Sequence, residues 1–86
     1  MPILSRFFGV VIRMFYDDHL PPHFHAVYAE FELVVAISPI AVLHGEAPPR
    51  ARSMVIEWAA IHQSELLDDW ARCRTSQPPF RIDPLI

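Results

Sequence analysis

The hydrophobic positions of this chain follow strand-like patterns over the first half and a helical period over the second. From Phe7 to Phe15 the residues are almost wholly apolar, with Val10, Val11 and Ile12 at the centre. That is strand composition. Phe8, Val10, Ile12 and Met14 share one face, and Gly9, Val11 and Arg13 share the other. Gly9 marks a bulge or a close approach of backbone. Acids and paired prolines make Asp17 to Pro22 a turn. A second strand is predicted from His23 to Tyr28, a third from Phe31 to Ile37 and a short fourth from Ile40 to His44, with Ser38-Pro39 as a tight connection. Short links between successive strands imply an antiparallel meander.

Gly45 to Pro49 end the sheet, and Pro48-Pro49 suit the first turn of a helix. Arg50 to Cys73 read as helical, but the apolar stripe changes direction along the way. Met54, Val55, Trp58 and Ile61 fall on one face, whereas Leu66, Trp70 and Cys73 fall on another. A kink or break near Gln63-Ser64 is therefore expected, with Ser64 capping the second segment and Glu65 in its first turn. Glu65, Asp68 and Asp69 read as a solvated helix face. Thr75 to Ile86 carry Pro78, Pro79 and Pro84 and are expected to run extended, packing through Phe80 and Ile82. The fold class is α+β: one domain over 1–86, with an antiparallel four-stranded sheet and the C-terminal helix on one face.

Composition narrows the class of function. An apolar fraction of 52% excludes disorder. The only cysteine, Cys73, excludes an internal disulfide and a Cys-rich zinc site and fits a reducing compartment. No charged leader precedes a long apolar run, so a cytoplasmic protein with no membrane partner is expected. The net charge is −3, and all seven basic residues are arginine. That balance argues against a broad nucleic-acid groove and leaves room for a small phosphate pocket.

The chemistry concentrates in Asp17-Asp18-His19-Leu20-Pro21-Pro22-His23-Phe24-His25. On a strand, His23 and His25 point the same way. Three readings stay open. In one, His23 and His25 act as acid and base, His19 assists, Asp18 orients, and Arg6 or Arg13 holds a phosphate for metal-independent RNA cleavage. In another, His19, His23 and His25 bind a divalent metal, zinc or nickel. In the third, the cluster caps the turn and fills a binding surface, and the domain needs no cofactor. His44, at a strand end, reads as solvated, and His62 as half-buried in the first helical segment. Trp58 and Trp70 read as core or partner-interface residues, and Arg50 and Arg52 as surface charge.

The run Asp18-His19-x-Pro21-Pro22-His23-Phe24-His25, preceded by Arg6-Phe7-Phe8-Gly9-Val10-Val11-Ile12-Arg13 and followed by Gly45-Glu46, Glu57-Trp58, Glu65-Leu66-Leu67 and Trp70, resembles bacterial domain-of-unknown-function family 4160. Its motif falls on Arg6, Asp18, His19, His23 and His25. The resemblance implies one half of a two-gene module like a toxin–antitoxin pair, with a small protein encoded by a neighbouring gene as partner. RNA and a second copy of the chain are the other partners it leaves open.

Overall fold

Phe8 and Gly9 fold the first apolar run back on itself. Both have positive φ, 47° and 84°, as in two-residue hairpin turns whose twist matches the flanking strands. The computed structural model describes residues 2–86. Its elements are β1 (Ile3–Phe7), β2 (Val10–Arg13), β3 (His23–Tyr28), β4 (Phe31–Ile37), β5 (Ile40–Glu46), α1 (Pro49–Ile61) and α2 (Gln63–Arg74). They form one antiparallel meander in the order β1-β2-β3-β4-β5, followed by the helices.

The sheet thus has five strands where four are expected. Phe7 pairs with Val10 across the Phe8-Gly9 turn, so the expected single strand is split and a new one begins at Ile3. An aromatic residue ahead of the glycine hides a turn that Asn-Gly would announce.

One face of the sheet carries Val10, Ile12, Phe24, Ala26, Leu33, Val35 and Ile37, all buried. Ala51, Val55, Trp58 and Ala59 of α1 and Leu66, Trp70 and Cys73 of α2 cover it. Trp58 is the central piece, with ring centroids 5.5 Å from Phe7 and 5.7 Å from Phe24.

The helical stretch does break, at His62, whose φ of −111° and ψ of 25° separate the two segments. Ser64 lies inside α2 and caps nothing; His62 occupies the cap position, and its Nδ1 is 2.6 Å from Glu65 Oε1. Gln63 Nε2 donates to the Ile37 carbonyl at 2.7 Å, tying the junction to β4. Ile61, expected on the core face, is exposed. A three-residue step falls about 60° short of a full turn, so the series Val55, Trp58, Ile61 drifts off the stripe that Ala51, Val55 and Ala59 hold.

Residues 75–86 carry no regular structure. Ile82 N donates to Leu4 O at 2.8 Å, and Trp58 Nε1 donates to Asp83 O at 2.8 Å. Ile82 is buried as expected, but Phe80 is not: its ring is exposed and lies 3.6 Å beneath the Arg72 guanidinium. What docks at that point is backbone. Phe80 N and Arg72 Nη1 each donate to Asp69 Oδ1 at 2.8 Å, which is why Asp69 is buried rather than solvated. Asp69 Oδ2 is buried without a partner.

Burial pushes the Asp69 carboxyl above its ordinary value of 3.8, outweighing the Phe80 N–H and the Arg72 guanidinium; Asp68 adds a smaller push the same way. A carboxyl with a raised folded value binds its proton more readily in the folded state. Stability therefore falls as pH rises from the ordinary value through the folded one, and the whole loss is present above it. Lowering the pH from 7 to 4, close to the ordinary carboxyl value, should raise the urea midpoint of the native protein relative to that of Asp69→Asn. Equal shifts in the two would refute the assignment. Burial and Asp69 also raise the Cys73 thiol, and with it buried the group is inert. Among the described residues no helix is long and apolar enough to cross a membrane.

Candidate functional site

The pleat of β3 sends Phe24 and Ala26 into the core and turns His23 and His25 the other way. The loop from Met14 to Pro22 returns over these rings. It is pinned where Asp17 N donates to Cys73 O at 3.2 Å and where Pro22 O accepts from Ile37 N at 3.1 Å. Asp18 is thereby brought over the histidine pair. His23 packs against Trp70 with centroids 5.2 Å apart, and Phe15 meets His25 edge-on at 4.6 Å.

The hydrogen bonds define the tautomers. His23 Nδ1 lies 2.7 Å from Pro21 O, and His25 Nδ1 lies 3.0 Å from Glu32 Oε2. A carbonyl and a carboxylate only accept, so each ring carries a proton on Nδ1 and donates it outward. Both Nε2 atoms then face Asp18 Oδ2, at 2.9 Å from His23 and 3.7 Å from His25. His25 Nε2 is buried and makes no hydrogen bond. One donor atom from each of Asp18, His23 and His25 lies within 4.8 Å of the other two. Asp18 Oδ1 accepts from His19 N at 2.8 Å. Burial pushes the Asp18 carboxyl up, but the His19 N–H and the neighbouring His23 and His19 rings outweigh it and hold the group below its ordinary value.

The histidines differ sharply in access. The side chains of His23, His25 and Asp18 are 3%, 16% and 20% exposed, and that of His19 is 85% exposed. His19 stacks at 5.3 Å from the His23 ring but does not converge with the others; Asp18 takes the third place instead. Arg13 is the direct cross-strand partner of His25, and its Nε is buried without a hydrogen-bond partner. Arg6 is exposed on β1, two strands from β3, opposite Val11.

A cavity of about 440 Å³ opens beside the cluster, lined by Phe15, Pro21, Val34, Leu43 and His44 as well as by Asp18, His19, His23 and His25. Neither arginine lines it. Its far wall arises from a bulge. Val34 pairs with His44 and Val35 with Val42, which leaves Leu43 as the extra residue. Leu43 and His44 therefore both face the cavity, as bulges near sites commonly arrange. β5 runs on through Gly45 and Glu46, which pair with Leu33 and Glu32, so His44 is not the strand end that the sequence suggests; it is exposed and belongs to this wall.

Glu32, Leu43 and Phe15 are not among the residues that the sequence singles out, and His44 reads there as solvated only. Glu32 has a readable signal: the two-residue link Ala29-Glu30 sets Tyr28 opposite Phe31, which places Glu32 opposite Val27 and diagonal to His25. His44 depends on the bulge and has no such signal. A second concavity of about 220 Å³, lined by Phe8, Tyr28, Pro48, Arg50, Ala51 and Met54, gathers no comparable set of donors.

Neither the curated proteins nor the solved structures include a match to this chain. A family model does match, over residues 9–71, a span that contains every residue of the Asp18–His23–His25 cluster and both walls of its cavity, and on that match the chain belongs to the family described as Domain of unknown function (DUF4160).

Proposed function

We propose that this domain binds one divalent transition-metal ion, zinc or nickel, through Asp18 Oδ2, His23 Nε2 and His25 Nε2. The observation that carries this reading is the bare His25 Nε2. It is buried, has no hydrogen-bond partner, and points at a carboxylate oxygen. Two lone pairs and a carboxylate facing one another repel unless a cation lies between them. A proton shared by His23 and Asp18 accounts for the 2.9 Å contact and leaves His25 unsatisfied. A metal ion satisfies all three.

The surroundings support the same conclusion. Metal-binding histidines characteristically donate their second N–H to a carbonyl or carboxylate, the part played here by Pro21 O and Glu32. Ligand bonds of about 2.0–2.1 Å in a tetrahedron set donors about 3.3 Å apart. The contacts of 2.9 and 3.7 Å bracket that spacing. Nitrogen and carboxylate donors suit zinc and nickel. Three protein ligands leave a coordination position open, as in catalytic rather than structural sites, and the cavity supplies access to it.

Metal-free RNA cleavage is the second reading, and the His23–Asp18 hydrogen bond is what favours it. His23 and His25 would serve as acid and base, with His19 assisting. That chemistry needs a cation on the phosphate, and neither Arg6 nor Arg13 lines the cavity. Either chemistry is compatible with membership of a cytoplasmic two-gene module with a small protein partner, which the family resemblance supports. Elemental analysis of untagged protein tests the metal reading. Zinc or nickel at close to one ion per chain is the expected result. Protein that retains neither, and binds neither at micromolar concentration, overturns it.

A further inference from the structure

We infer that the cavity takes a small carboxylate on a compact apolar body, whose oxygen fills the metal's open position. The inference rests on the metal reading above and adds the ligand class. Among the ligands themselves only Asp18 carries charge, and it cancels one of the two charges of a divalent ion; the Glu32 carboxylate stands behind the His25 ring and not at the ion. A single anionic oxygen completes the balance at the ion.

The walls argue for the rest of the molecule. Beyond the cluster they are Phe15, Pro21, Val34 and Leu43, with His44 on the far side. Such a lining, largely hydrophobic with a few placed polar groups, is what small-molecule sites show, and about 440 Å³ falls at the smaller end of their range. The absence of arginine from the lining tells against a phosphodiester, which would bring its charge to a site with no guanidinium to meet it. Leu43 is a large apolar side chain left 49% exposed on this wall, and a ring or branched alkyl group seated there would cover it. Phe15 is fixed edge-on against His25 and supplies a flat surface on the other side. His44 lies two strands from His25 in the row His25, Val34, His44, so their backbones are about 9–10 Å apart. An imidazole at that range reaches the second carboxylate oxygen across the cavity.

Cobalt(II) loaded into the untagged protein makes this testable, because its visible ligand-field bands report both the protein ligands and anything added to them. The loaded protein is titrated separately with benzoate, acetate and inorganic phosphate. Benzoate is expected to shift the bands and to bind at least ten-fold more tightly than acetate. Leu43→Asp should bring benzoate down to the acetate level while one cobalt per chain is kept. His44→Ala should weaken benzoate and acetate by similar factors, since it meets the shared head group. Equal affinities for benzoate and acetate in the native protein, or phosphate binding more tightly than benzoate, would overturn the ligand class and leave the metal centre intact. Cobalt that shows no protein-bound bands at all would remove the centre and the ligand together.

Discussion

Trp58→Ala should leave a chain with no cooperative urea transition at 25 °C. The indole is fully buried between the sheet and α1, against Phe7 and Phe24. Truncating a buried aromatic to alanine costs about 3–5 kcal/mol. A domain of this length has on the order of 5 kcal/mol to lose. The indole N–H also holds the tail at Asp83 O, and alanine leaves that carbonyl unpaired. Trp58→Phe keeps most of the packing and loses only the N–H, so it should fold with a stability lower by about 1 kcal/mol. Far-UV circular dichroism against urea measures both. A loss below about 1 kcal/mol in the alanine variant would mean that Trp58 is not the keystone its burial implies.

His25→Ala should weaken zinc binding by at least 100-fold. Changes in the partners that merely orient ligands cost about 10–100-fold in affinity, and a ligand must cost more than they do. Glu32→Ala removes the acceptor of the His25 Nδ1–H and should weaken binding by about 10-fold. His19→Ala should change nothing, because that ring is exposed and stands apart from the convergent set. Competition against a chromophoric chelator gives all three values in one format. If His19→Ala loses as much affinity as His25→Ala, the ligands are the three histidines and Asp18 is the spectator.

These two experiments probe parts of the molecule that were unequally visible in the sequence. The strands from His23 to Tyr28 and from Phe31 to Ile37 follow directly from alternation and short links, and the structure places them at those bounds. The first hairpin was hidden because Phe8-Gly9 sits inside an unbroken apolar run, and hydropathy does not register a sign change in φ. Helix phase reveals the break, since two stripes out of register cannot both face one sheet. The same phase misplaces Ile61, which is exposed, and Asp69, which is buried. Asp69 is buried by partners on its own helix and on the tail, Arg72 and the Phe80 backbone, and a backbone N–H leaves no mark in a hydropathy pattern.

At the site, the shared face of His23 and His25 follows from the period of two. Which neighbour joins them does not. His19 and Asp18 are adjacent in the same turn, and only the path of the loop over β3 decides that the carboxylate turns inward while the imidazole turns to solvent. The sequence puts Arg13 on the strand next to the histidines and leaves it level with Arg6 as a candidate; the register sets Arg13 opposite His25, but lining a cavity is a matter of side-chain direction that pairing alone does not specify.

The indole of Trp70 against His23 gives the protein an optical gauge of its own centre. Indole emission is quenched by a protonated imidazole in contact and by open-shell ions such as nickel(II) or cobalt(II), whereas zinc(II), with its filled shell, lacks that pathway. Trp58 also lies near an imidazole, that of His62 at 5.5 Å. In a Trp58→Phe background the remaining signal comes from Trp70 alone, so occupancy and protonation of the cluster can be followed in dilute solution, without a label.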